Sequence, residues 1–167
     1  MAALVWTDDL VLGLEPMDVT HQDFVRSYQC LAEASTEAFL AALDDFVAHC
    51  EAHFEQENRW MEAVDFPGCH RAEHDRVLAV LRDVRRCAAE GDTFLGRRLI
   101  EEIPAWFENH ANGMDAALVF HLDSIGYDAV SENWREARPE KPGHGGSERA
   151  ASSSACTCTV PVAAEGA

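Results

Sequence analysis

The sequence predicts an all-α fold: an up-down-up-down four-helix bundle with an N-terminal arm and a disordered C-terminal tail. Three observations carry this. Apolar residues recur at three- and four-residue intervals in four successive runs. Short breakers separate the runs: Ser35-Thr36, Asp65-Phe66-Pro67-Gly68 and Gly91-Asp92-Thr93. Each run also places His, Glu or Asp among its apolar positions, so four helices have polar groups to bring to one interior, and short connections make neighbours antiparallel.

Residues 1–17 read as an arm, with Trp6 as landmark, then Leu10 to Leu14 and Pro16. Asp18 or Thr20 is placed to cap the first helix, in which Phe24, Val25, Tyr28, Leu31 and Ala32 follow His21 and end near Ala34. Ser35-Thr36 offers a turn and a new cap. From Glu37 one stripe runs through Phe39, Leu43, Phe46, Cys50, Phe54, Met61 and Val64, with His53 and Glu57 on or beside it. The third helix starts after Gly68 and carries His70, His74, Val77, Leu81 and Val84. The fourth includes Phe94, Leu99, Ile103, Trp106, Phe107 and His110, then Met114 and Leu118, with Pro104 inside it to kink it or remove one backbone bond. The bundle is thus expected over 18–125. Val130 and Trp134 suggest a short extra helix within 126–138, and the Pro-, Gly- and Ser-rich stretch 139–167 is expected to be disordered.

With 167 residues, 47% of them hydrophobic, the chain suits one domain with a proper core. A formal charge of -17 disfavours DNA, RNA or an anionic membrane surface as partner. The N-terminal residues show neither a basic region nor a sustained apolar run, and no later run has the length of a membrane span, so a cytoplasmic location is expected. Cys30, Cys50, Cys69 and Cys87 stand singly in helical runs and read as reduced thiols, mostly packed; Cys156-Thr157-Cys158 lies in the polar tail.

His53 and Glu57 are four residues apart, as are His70 and His74, and so share a helix face. His21 and the pair His110 and Asp115 bring the number of strong ligands to seven. His110 and Asp115 fit less simply: five residues turn an ideal helix by roughly 140° past a full turn, so Asp115 has to reach in from the edge of the face. A single His-xxx-Glu or His-xxx-His pair is more often a surface pair or a bonded core histidine. Ligands on all four helices at once are not explained that way, because burial without a bound ion leaves them uncompensated. Five imidazoles and two carboxylates exceed one tetrahedral zinc and suit two five- or six-coordinate first-row ions; two bridged irons fit best, with the carboxylates as bridges. His49 shares a face with His53 and reads as packed. His121 lies about 16 Å along the axis from His110, too far to join the same centre.

These residues resemble the hemerythrins, specifically the single-domain bacterial forms, over roughly residues 4–120. Asp18-Val19-Thr20-His21 is similar to the family's DxxH, His53-Phe54-Glu55-Gln56-Glu57 to its HFxxE, Phe66-Pro67 with His70-xxx-His74 to its aromatic-Pro turn and HxxxH, and Trp106-Phe107-xx-His110-xxxx-Asp115 to its last element. The resemblance implies that His70, His74 and His110 hold one iron and His21 and His53 the other. Glu57, Asp115 and an oxo or hydroxo group then bridge the two. It implies reversible dioxygen binding at the iron with two histidines, for storage, delivery or sensing, with Trp106, Phe107 and Ala111 lining the oxygen pocket. Phe107 and Ala111 replace the family's usual Leu and Ile, so a reshaped pocket is expected, and Asn58 stands where a second acidic residue is common. A diiron enzyme acting on peroxide or nitric oxide ranks lower, since no residue clearly supplies its acid, base or electron donor. A redox- or oxygen-sensing module using the cysteine tail is the third reading.

Overall fold

In the computed structural model, which describes residues 4–136, the chain runs through α1 (Glu15–Glu33), α2 (Phe39–Ala63), α3 (Cys69–Ala89), α4 (Phe94–His110) and α5 (Ala116–Ser124). A π-turn, Ala111–Asp115, joins α4 to α5 so that they act as one long fourth helix. Each helix packs on its sequence neighbours, and α1 closes the ring against α4. This is the all-α four-helix bundle expected. No helix of the described residues is long and apolar enough to cross a membrane. The stretch 139–167, expected as a disordered tail, lies outside the described residues, as does His144.

Local chemistry sets the helix ends. Helix α1 begins earlier than expected, at Glu15 and Pro16, because a proline without an N–H is at no disadvantage in a first turn. Neither Asp18 nor Thr20 caps it. The Asp18 carboxylate instead accepts the backbone N–H groups of Leu12 (2.8 Å) and Gly13 (3.0 Å), tying down the arm, and the Thr20 hydroxyl donates to Pro16 O at 2.7 Å. In the arm, Leu4 is buried and Trp6 packs on the core behind a 3-10 turn at Asp8–Leu10. Ser35-Thr36 forms the expected turn, the Ser35 hydroxyl oxygen accepting the N–H of Ala38 at 3.3 Å, but neither residue caps α2, whose N-cap is Ala38. At the end of α3, Gly91 takes φ +94°, and the N–H groups of Gly91 and Asp92 return to Ala88 O and Cys87 O, closing a Schellman motif.

Pro104 does not break α4. The backbone N–H that a helix would aim at Ile100 O is the one proline lacks. The buried Tyr28 hydroxyl, from α1, donates to that carbonyl at 3.0 Å. The bond removed in sequence is thus replaced from a neighbouring helix.

The segment expected as a short extra helix is a hairpin. Tyr127–Asp128 (β1) pairs antiparallel with Asn133–Trp134 (β2). The Asp128 carboxylate accepts the Val130 N–H at 3.1 Å and the Ser131 hydroxyl at 2.6 Å, which favours a turn over a helical start. Trp134 anchors the hairpin by packing edge-on to Tyr127, whereas Val130 is 67% exposed.

The apolar interior comes in two parts. One, containing Phe24, Phe39, Phe46, Phe54, Leu81 and Phe107, fills one end of the bundle. The other, containing Met17, Trp60, Met61, Leu118, Leu122 and Tyr127, fills the other. Between them, on every helix, lie the buried polar residues.

Candidate metal centre

The seven residues singled out by spacing are all buried, with exposures from 0% to 4%. Helix α1 delivers His21, α2 His53 and Glu57, α3 His70 and His74, α4 His110 and the π-turn Asp115. The π-turn resolves the mismatch at the last pair. A turn closed by i to i+5 bonds takes up one more residue than an α-turn, so residues five apart come back onto one face. Asp115 Oδ1 lies 3.2 Å from His110 Nε2, and the aspartate does not reach in from an edge.

The side chains form two groups that share the carboxylates. In one, Nε2 of His70 and Nε2 of His74 each lie 3.2 Å from His110 Nε2. In the other, His21 and His53 meet with ring centroids 5.2 Å apart. Glu57 turns Oε1 toward His53 (2.6 Å) and Oε2 toward His70 (3.3 Å) and His74 (3.5 Å). Asp115 turns Oδ2 toward His21 (3.2 Å) and Oδ1 toward His70 (3.0 Å) and His110. Each carboxylate therefore presents one oxygen to each group of histidines. Glu57, His70, His74, His110 and Asp115 bring one ligand atom each to within 4.8 Å of one another, and so do His21, His53 and Glu57.

The donor atoms fit metal better than they fit each other. Both oxygens of Glu57 and Asp115, and both ring nitrogens of His21 and His53, are buried without a hydrogen bond of good alignment despite these close approaches. Buried polar atoms are rarely left so. Nitrogens held cis on one octahedral ion, with bonds of about 2.1 Å, stand about 3.0 Å apart, close to the separations from His110. Protons alone divide the charge unevenly. Burial pushes both carboxyls up, but the imidazoles around them pull further, so Glu57 and Asp115 titrate below the usual carboxylate range. Burial pushes His70 down, yet Asp115 and Glu57 draw it up to about 9. Burial dominates at His74 and pushes it down to about 3. One ring holds a proton where a cation can replace it, and another is poised neutral.

Aromatic rings fix the imidazoles. Phe54 stacks on His74 at 4.1 Å with planes 4° apart, Trp106 stacks on His110 at 4.8 Å, and Phe107 meets His21 edge-on at 5.2 Å while stacking on Phe24. Ala111 is fully buried beside this cluster. The Trp106 indole N–H donates to Glu73 Oε1 at 2.8 Å, a bond the spacing did not reveal. His74 Nδ1 meets Asn58 Oδ1 at 3.2 Å, a contact that follows from the His-to-Asn phase only once α2 and α3 are docked. His49 stays outside both groups, half-buried beside Phe24 and His53, and burial pushes its pKa down to about 4. His121 packs on Phe66, away from the centre. Cys30, Cys50, Cys69 and Cys87 are free thiols, and only Cys50 among them is fully buried.

Residues 12–119 match the family model described as the hemerythrin HHE cation binding domain. A bacteriohemerythrin of Ralstonia nicotianae is 48% identical over 134 residues, covering 79% of this chain and 98% of that protein. One from Stenotrophomonas maltophilia is 28% identical over 80% of this chain and 94% of its own length, and a myohemerythrin of Riftia pachyptila is 26% identical over 66% and 87%. No solved structure matches. With its four-helix scaffold and its buried His, Glu and Asp set, the chain belongs to the hemerythrin family.

Proposed function

We propose that this chain binds dioxygen reversibly at a non-haem pair of iron ions. His70, His74 and His110 hold one iron, His21 and His53 the other, and Glu57 and Asp115 span both together with an oxo or hydroxo bridge. The observation that carries the reading is the division of each carboxylate, one oxygen to the three-histidine group and one to the two-histidine group. When bound, the iron pair supplies the electrons that dioxygen takes up and returns on release. The residues do the rest. The five imidazoles leave the two-histidine side one ligand poorer and so open to a small molecule. Phe107 and Ala111 shape the space near His21, Trp106 covers His110, and the two apolar clusters above and below keep bulk water out. A dry pocket of this kind favours a diatomic ligand over a larger substrate, and a carrier over an enzyme.

The four free thiols of the described residues support a reducing, cytoplasmic setting. The test is direct: load the protein with iron without air and record its optical spectrum through cycles of oxygen addition and removal. Colour that develops with oxygen and bleaches on its removal is the expected result. Irreversible conversion to a stable oxidised product overturns the reading.

A further inference from the structure

Asn58 follows Glu57 on α2 and is half-buried at a groove between α2 and α3, beside Phe54 and Leu78 and near Arg71 and Arg82. Its side chain reaches inward, with Oδ1 3.2 Å from His74 Nδ1. The other nitrogen of that ring, Nε2, faces Glu57 Oε2 at 3.5 Å and His110 Nε2 at 3.2 Å, so Nε2 is on the metal side. Nδ1 then carries the ring proton and donates it to the Asn58 carbonyl oxygen. Phe54 stacks on the same ring, so His74 is held by its face and by its outer edge. The Nδ1 atoms of His21, His53 and His70 have no such partner.

We propose that Asn58 is a positioning residue that locks His74 in its Nε2-binding tautomer and, as a neutral acceptor, limits how much electron density that ring gives to iron. The inference rests on the diiron reading above. A histidine ligand becomes a stronger donor as the acceptor on its other nitrogen becomes more anionic, and loses orientation when that acceptor is removed. An amide sits between those limits. It holds the ring while leaving the reduced pair, the form that takes up dioxygen, less disfavoured than a carboxylate at this position does.

Two near-isosteric variants of the full chain separate this role from simple packing: Asn58→Asp and Asn58→Leu. The reduction potential of the iron-loaded protein is read by spectroelectrochemistry, and the cobalt(II) affinity of the metal-free protein by competition with a chelator. Asn58→Asp is expected to favour the oxidised pair about tenfold, lowering the potential of the two-electron couple by about 30 mV. Asn58→Leu is expected to raise the potential and to weaken cobalt(II) binding about tenfold or more. In the cobalt(II) protein, the exchangeable Nδ1 proton of His74 persists in the parent and in Asn58→Asp and is lost to solvent exchange in Asn58→Leu. Potentials unchanged in both variants, or shifted in the same direction, overturn the proposal while leaving the diiron reading intact. A parent chain that takes up no pair of cobalt ions overturns that reading and this inference with it.

Discussion

The Tyr28 hydroxyl and Pro104 are coupled through one carbonyl, and the coupling has a measurable size. Ile100 O loses its helical donor to Pro104 and receives the Tyr28 O–H at 3.0 Å, in a place where Tyr28 is 4% and Ile100 7% exposed. Tyr28→Phe strands that carbonyl away from water, a cost of about 1–3 kcal/mol, so about 2 kcal/mol is expected. For a chain of this length each kcal/mol moves the midpoint by about 2–4 °C, giving a fall of about 6 °C. Pro104→Ala restores an N–H aimed at the same oxygen. In that background Tyr28→Phe is expected to cost less than about 1 kcal/mol, a coupling of about 1 kcal/mol. Urea unfolding of the four proteins, followed by far-UV circular dichroism with a chelator present, gives all the terms, because bound metal spoils two-state behaviour. Equal costs of Tyr28→Phe in the two backgrounds, within about 0.3 kcal/mol, refute the reasoning.

Two further outcomes follow from the centre. In the metal-free chain His70 titrates at about 9 rather than 6.5, so its stabilising contribution is complete below about pH 6.5, shrinks as pH rises and is gone above about 9. The amount is on the order of 3 kcal/mol. Glu57 and Asp115 are shifted the other way, and their contribution is lost as pH falls below the usual carboxylate range. Melting temperatures from pH 6 to 9.5 are therefore expected to fall in the metal-free protein and stay level in the metal-loaded one, where an ion replaces the His70 proton; parallel declines count against this. Ala111→Ile is expected to fill space beside Phe107, cost about 1–3 kcal/mol by overpacking and slow autoxidation several-fold. Stopped-flow or manual spectral decay measures it, and an unchanged rate removes Phe107 and Ala111 from the pocket account.

The helices were legible because their apolar stripes and breakers are local, and the seven buried polar residues because they recur at helical spacing. The roughly 140° discrepancy between His110 and Asp115 was legible too, but its resolution was not. Nothing in Ala111-Asn112-Gly113-Met114 announces a π-turn, which brings Asp115 to partners on two other helices, His21 and His70. The start of α1 is not legible locally, because Asp18 looks like a cap until the arm folds back onto it. The hairpin after Gly126 is hidden for a related reason. Two anchors in a polar stretch fit a helix or a turn equally, and the Asp128 side chain decides. Contacts between helices, such as Tyr28 with Ile100 and Asn58 with His74, depend on docking and leave no periodic trace.

The buried polar layer also sets how far each helix can slide. Apolar stripes repeat every turn, so a helix displaced by about 5.4 Å along its axis still finds apolar neighbours. The seven ligands allow no such slip. On α2 and α3 a one-turn displacement brings a different ligand type or an apolar residue to where Glu57 or one of His70 and His74 stood, and on α1 and the fourth helix it removes His21, or His110 with Asp115, from the shared centre. The centre is thus a register mark shared by all four helices, and it discriminates against every near-native packing that hydrophobic burial by itself tolerates.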